Sequence, residues 1–282
     1  MDMKKVSYVT LLLILIGFTS DLKAQEAENT DDGYNEWSAK HIHESDIMYK
    51  QEIWRRMDSR EPMNQPYYAF NNEITKLIVE AVKAGTLRPY WSDSLNREMS
   101  IDEFNERLIP PGTDEPGEAA PVEDLSGWGD AGAVDTATAA PTGPINFLPR
   151  EISVLEIKED LIFDKKRSRM YTDIQSIKLV VPGEKVVTGL DISIATFAYK
   201  DLVELFRSKP KEAIWFNRKN SREHKNYADA FELRLFHARL IKISNPNNNF
   251  IEDLYENRRN ALLASEALEQ ELMEYEHNLW EY

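Results

Sequence analysis

His41-Ile42-His43-Glu44-Ser45-Asp46-Ile47-Met48-Tyr49-Lys50-Gln51-Glu52-Ile53-Trp54-Arg55-Arg56-Met57-Asp58-Ser59-Arg60-Glu61-Pro62-Met63-Asn64-Gln65-Pro66 is the stretch on which the fold turns. Ser45 and Asp46 are helix-start residues, because their side-chain oxygens accept the free amide hydrogens of a first turn. Behind them Ile47, Lys50 and Trp54 fall on one stripe and Tyr49, Ile53 and Met57 on the next. That 3.6-residue period predicts a helix over residues 46–58. Its aromatic, apolar face would stand opposite a charged face of Arg55, Arg56, Asp58 and Arg60. Pro62 and Pro66 end it and push the chain into an extended run, Tyr67-Tyr68-Ala69-Phe70. The stretch contains no catalytic pattern.

Downstream, Ile74, Leu77, Ile78, Ala81 and Val82 predict a second helix over 72–84, with Gly85 as its left-handed stop. Ser100-Ile101-Asp102-Glu103 is a capping-box pattern opening a third, to about residue 108. Between residues 110 and 149 the composition shifts to Pro, Gly, Ala, Thr and acidic residues, with no Lys or Arg between Arg107 and Arg150. That is linker or surface insertion. Its Gly127-Trp128-Gly129-Asp130-Ala131-Gly132 matches G-x-G-x-x-G in letters only. A dinucleotide site needs a strand before it and a helix after it, and neither is predicted. Trp128 reads equally as a docking point for the loop or as an exposed residue.

Residues 151–182 are the most β-like part. The pattern predicts a hairpin with its tip near residues 165–168, followed by a strand over 190–199 and a short helix through Leu202 and Phe206. Residues 207–225 are locally basic. Phe231, Leu235, Phe236 and Leu240 predict a helix over 228–242, closed by the turn residues 244–249. The last helix, over 252–279, places Ala261, Ser265, Leu268, Leu272, Tyr275 and Leu279 on a heptad-like seam. It spans under three heptads, so packing on its own domain is expected rather than a coiled coil. The fold class expected from this order is α+β: N-terminal helices, an acidic Pro/Gly-rich linker, then a small, mainly antiparallel sheet with helices and a long C-terminal helix. The corresponding sections are 1–24, 25–40, 41–109, 110–149 and 150–282.

Two blocks carry a family resemblance. The first is Glu44-Ser45-Asp46-Ile47-Met48, Ile53-Trp54-Arg55-Arg56-Met57-Asp58-Ser59-Arg60-Glu61 and Met63-Asn64-Gln65-Pro66. The second is Ile157-Lys158-Glu159-Asp160 and Phe163-Asp164-Lys165-Lys166-Arg167-Ser168. Together they resemble the GldN/PorN proteins of gliding motility and type IX secretion. The surroundings of Tyr227, Ser244-Asn245 and the closing His277-Asn278-Leu279-Trp280-Glu281 are similar as well. The likeness covers residues 42–111 and 152–282. It implies a structural subunit that self-associates in a periplasmic ring and joins an outer-membrane lipoprotein of the GldK/PorK family. It marks Ser45, Asp46, Trp54, Arg55, Asp58, Arg60, Asn64, Gln65, Pro66, Lys158, Glu159, Asp160, Phe163, Asp164, Lys165, Arg167, Ser168 and Trp280 as family-motif and candidate interface residues. The helical C-terminus fits machinery better than cargo, which usually ends in a β-rich signal domain.

Composition agrees with export. Residues 1–24 read as a secretory signal: Lys4 and Lys5 precede an apolar run from Val6 to Phe18, with cleavage expected after Ala24. An uncleaved anchor is the alternative, but the run is short for a membrane span. Residues 25–40 are polar and acidic, a flexible lead-in. The chain of 282 residues has no cysteine, which removes disulfides, thiolate metal sites and a lipidated N-terminus. A formal charge of -15 is repelled by phosphate backbones and anionic lipid, so nucleic acid is not an expected partner.

A search for chemistry returns little. Neither His41-x-His43 nor any other histidine pair has metal-ligand helical spacing, and no P-loop, G-x-S-x-G or H-E-x-x-H occurs. No cofactor and no enzyme activity are expected. Glu159-Asp160 is the best carboxylate pair for a hydrolase, the leading alternative. A glycan-binding module using Tyr67, Tyr68 and Trp91 is the third reading. For self-association, the acidic last helix (Glu266, Glu269, Glu271, Glu274, Glu276) and the basic Arg218, Lys219, Arg222 and Lys225 form complementary candidates.

Overall fold

The computed structural model describes residues 33–40, 42–111, 146–220 and 222–279. The segment 1–24 expected to be a secretory signal, His41, most of the Pro/Gly-rich stretch with Gly127 to Gly132, and Trp280 lie outside the described residues. The chain forms two units, residues 1–34 and 35–282, and every element below belongs to the second.

In chain order these are β1 (Ile47–Asp58), β2 (Tyr68–Ala69), β3 (Asn72–Glu73), α1 (Ile74–Lys83) and α2 (Ile101–Arg107). After residue 146 come β4 (Val154–Asp164), β5 (Arg169–Val181), β6 (Ile192–Ala198), α3 (Tyr199–Ser208), β7 (Ile214–Trp215), β8 (Lys225–Asn226), α4 (Tyr227–Glu232), β9 (Arg239–Ile243) and α5 (Arg258–Leu279). The fold is α+β, built on a five-stranded antiparallel sheet of order β6-β5-β4-β1-β9, with two short hairpins beside it.

The stretch expected to be the first helix is instead β1, a twelve-residue strand inside that sheet. It pairs with β4 from Ile47 to Asp58 and with β9 from Ile53 to Arg56. Its residues are mostly good helix formers, so local preference is overruled by pairing on two edges. Side chains of a strand alternate between faces. Ile53, Arg55 and Met57 therefore point one way, and Trp54, Arg56 and Asp58 the other. Of the charges expected on one helix face, Arg56 instead joins Lys50 and Glu52 in a cross-strand ladder. Lys50 meets Asp160 at 3.0 Å, Lys158 meets Glu52 at 3.5 Å, and Glu156 lies between Arg56 (3.7 Å) and Lys178 (2.9 Å).

The β4–β5 hairpin forms where the alternation placed it, with Lys165 to Ser168 as its tip. Asp164 accepts the amides of Lys166 (2.8 Å) and Arg167 (3.1 Å), and Ser168 takes a left-handed φ of 50°. The expected helix over 228–242 is cut in two. α4 ends at Glu232, Arg234 turns left-handed at φ 51°, and Arg239-Leu240-Ile241-Lys242-Ile243 becomes β9. Its burial beside β1 favours the strand.

α1 buries Ile74, Leu77, Ile78, Ala81 and Val82, and Gly85 ends it at φ 71°. α2 opens with the expected capping box between Ser100 and Glu103. Replacing Ser100 by Ala removes the acceptor for the Glu103 amide, and a destabilisation of about 1 kcal/mol is expected in a denaturant melt. Helices α1 to α4 share one core with Met57, Leu155, Ile157, Ile177 and Leu179 of the sheet, including Phe104, Leu202, Phe206 and Phe231. A second, smaller cluster joins Ile53, Leu240 and Ile251 to Ala264, Leu268 and Leu272 of α5. Ala261 and Ser265 are buried, and the Ser265 hydroxyl donates to the Leu240 carbonyl at 2.6 Å. The seam of the last helix thus packs on its own sheet, as expected. α5 begins at Arg258, after a separate 3-10 turn over Glu252–Leu254.

Candidate functional site

The family-motif residues converge on β1 and β4, and the two faces of those strands carry different chemistry. On the core face, Arg55 stands between Ile53 and Met57. The Arg55 guanidinium donates to Glu269 of α5 and, at 3.3 Å, to the Ala238 carbonyl. Arg55 Nε lies 3.3 Å from Glu159 Oε2, an ion contact without hydrogen-bond geometry. Arg234 closes on Glu159 with both terminal nitrogens, at 3.0 and 3.3 Å. Glu159 is fully buried between the two guanidinium groups. A carboxylate taken out of water is tolerable only when paired and hydrogen-bonded, and this one is. The cluster ties β1, β4, the turn before β9 and α5 at one point.

On the opposite face, Trp54 is buried and donates its indole N–H to Asp93 at 2.7 Å. Lys242 sits 4.0 Å and Lys158 5.3 Å from the centre of its ring. Cations over an indole face are attracted by its quadrupole. Burial pulls the Lys242 amine below its ordinary value, partly countered by Asp93. Further along the same face Asp160 and Asp173 are direct cross-strand partners, both nearly sealed from solvent. Each has one carboxylate oxygen without a hydrogen-bond partner. Asp173 accepts from Ser38 and from Gln175 at 2.8 Å. Burial first, and then the neighbouring Asp160, push the Asp173 carboxyl up to about 6.

The remaining motif residues fix the ends of the strands. Asn64 is buried and bridges the Asp58 carbonyl, the His237 carbonyl and the His237 amide, each at 2.8 Å. Arg60 forks onto Asp58 and reaches Glu184 at 2.8 Å. Gln65 accepts from Arg218 at 2.7 Å, and the Pro66 carbonyl accepts the Phe216 amide. The Ser45 amide donates to His43 Nδ1, and the Asp46 carbonyl accepts the Lys165 amide at 2.8 Å. Burial opposes ionisation of Asp164, but the Arg167 and Lys166 amides and the Arg167 guanidinium hold its carboxyl below its ordinary value. Phe163 is buried. Of the motif residues described, Ser45, Arg60, Gln65, Lys165, Arg167 and Ser168 are the exposed ones.

Two sequence candidates change meaning. Glu159 and Asp160 are adjacent in a strand and so point to opposite faces, one to Arg55 and Arg234, the other to Lys50. They cannot flank one scissile bond as a hydrolase pair must. The three aromatics of the glycan reading are not free surface rings: Tyr67 is fully buried, while the half-buried Trp91 lies under Arg97 and Arg107 at 4.9 and 4.4 Å and the half-buried Tyr68 under Arg150 at 5.3 Å. Among the described residues no cluster of His, Asp or Glu could hold a metal, and no helix is long and apolar enough to cross a membrane. Sequence reasoning missed Arg234, Asp93, Asp173 and Lys242. Arg234 carried one legible signal, a cation set between Leu233 and Leu235; the others come from loops and strands that meet only in three dimensions.

The sequence model of one family, described as gliding motility associated protein GldN, matches residues 42–281. No curated protein matches the chain.

Proposed function

Because the chain belongs to the GldN family of gliding-motility-associated proteins, we propose that it is a non-enzymatic structural subunit of the type IX secretion and gliding machinery. It sits in the periplasm, peripheral to the outer membrane. It self-associates in a ring and is held there by an outer-membrane lipoprotein of the GldK/PorK family. The observation that carries this reading is the use made of the motif residues. Arg55, Glu159 and Asn64 are consumed in ties between separate parts of the chain, and Asp58 and Asp164 in fixing the turns at strand ends, which rigidifies a body rather than presenting reactive groups. A rigid body of fixed shape is what repeated, symmetric contacts require.

Surface chemistry supports an assembled state. Leu262, Leu263 and Met273 of α5 are exposed, together with Leu254 and Tyr255 just before it. Exposed apolar groups gathered along one element mark interaction surfaces. The test is purification of the tagged full chain from envelope fractions. Recovery of one lipoprotein at a near-constant ratio, in a particle far larger than a monomer, is the expected result. A monomer recovered without companions, or one that turns over a substrate alone, overturns the reading.

A further inference from the structure

Two apolar features of the surface lie beside opposite ends of β1. The first is a slot of about 430 Å³ between α5 and the start of β1. Tyr49, Ile243, Leu268, Leu272 and Tyr275 line it, with Glu271 at its rim. It exists because β9 pairs with β1 only from Ile53 to Arg56, while β1 starts at Ile47. The chain leaves the sheet at Ser244 and turns through Asn245. Among the described residues no strand pairs with that side of β1 before Glu52, whose carbonyl takes the Ser244 amide. The slot is therefore apolar, open and edged by unpaired backbone.

The second is the β5–β6 loop, Pro182 to Asp191, beside the other end of β1. Val187 is 97% exposed and Leu190 70% exposed. The loop is nonetheless held in one shape. The Asp191 carboxylate accepts the Gly183 amide at 2.7 Å and is itself gripped by Arg56 at 2.6 Å. Gly183 packs so closely on Gly189 that a Cβ there would lie 2.3 Å from its carbonyl oxygen. A pair of bare apolar side chains on a rigid loop is costly to leave in water. Lys185 beside them and Glu271 at the slot are both exposed, and among the described residues neither has an ion-pair partner.

We propose that the β5–β6 loop of one copy seats Val187 and Leu190 in the slot between α5 and β1 of the next copy, with Lys185 facing Glu271. The occupant is a second copy of this chain because knob and slot match in polarity, in charge and in being pre-formed. The slot meets β1 at Tyr49 and the loop meets it at Arg56, about 23 Å apart along the strand at roughly 3.3 Å per residue. Such a contact joins different surfaces of the two partners, so it propagates head to tail and closes into a ring when the rotation allows. The inference rests on the self-association proposed above and names its surface.

The chain has no cysteine, which makes a disulfide test clean. The full-length chain carrying Val187→Cys and Ser244→Cys together, oxidised mildly in envelope fractions, is expected to give a ladder of dimers, trimers and larger covalent species. Each single variant should give none beyond dimer. Val187→Asp, at a site with no packing to lose, should reduce particle size while leaving the melting temperature unchanged. A large particle that forms without the ladder, or Ser244→Cys linking to a different protein, overturns this contact and leaves the subunit reading standing. A chain that stays monomeric in the envelope overturns both.

Discussion

Glu159→Ala is expected to lower the stability of the protein by about 3 kcal/mol, read as a fall of about 10 °C in melting temperature for a unit of this size. The substitution strands two guanidinium groups. Arg55 is largely buried and would keep only Glu269 and a carbonyl, while Arg234 would lose both of its carboxylate contacts. Removing one member of a buried pair costs about 3–5 kcal/mol, and the partial exposure of Arg234 puts this case at the lower end. The double variant with Arg234→Ala should cost less than the sum of the two singles, because the second change removes a cation already left alone. Additive effects would contradict the network. The result also separates structure from chemistry: a catalytic carboxylate held at the expense of stability should leave the protein as stable or more so when removed, whereas a tie should not.

Asp173 gives the second large effect, and its sign is set by pH. Its folded-state value, about 6, lies above the ordinary carboxylate range near 3.9. Between these values the folded state binds more protons than the unfolded chain, so stability falls as pH rises through that window and levels off above it. At about 1.4 kcal/mol per unit the change is about 2–3 kcal/mol between pH 4 and pH 7. Asp160, the direct cross-strand neighbour, is also raised by burial, in part offset by Lys50, and acts in the same direction. Lys40 and the Ser38 and Gln175 hydrogen bonds hold the Asp173 value down but do not restore it. Asp173→Asn keeps an acceptor for Ser38 and deletes the charge. It is expected to raise stability at pH 7.5 and flatten the profile between pH 4 and pH 6.5. Melts at four or five pH values decide the matter: a variant profile parallel to that of the parent would show that the pH dependence arises elsewhere.

The sites of these two predictions were unequally visible in the sequence. Glu159 stood out through its motif, but its partners did not. Arg55 is adjacent only after β1 pairs with β4, and Arg234 only after the chain turns at a left-handed residue between α4 and β9. Asp173 was not singled out, because an aspartate in an alternating strand reads as a solvated position. Here the Asn35 to Lys40 segment covers it, through Asn35 to Gln175, Ser38 to Asp173 and Lys40 to the Thr172 carbonyl.

What the sequence determined by itself was the part governed by local chemistry. The β4–β5 hairpin follows from alternation and a polar tip, α2 from its capping box, the end of α1 from Gly85, and the seam of α5 from a period that survives folding. The family was legible too, because residue types at fixed offsets do not depend on how the chain is folded. Only the tertiary structure decided β1 and β9. Residues 46–58 satisfy a helical period and a strand's alternation at once, and their many Lys, Glu, Arg and Met residues favour the helix locally. Two neighbouring strands, distant in sequence, supply both rows of backbone hydrogen bonds and the opposite charges, and that sum exceeds the few tenths of a kcal/mol per residue by which propensity prefers the helix.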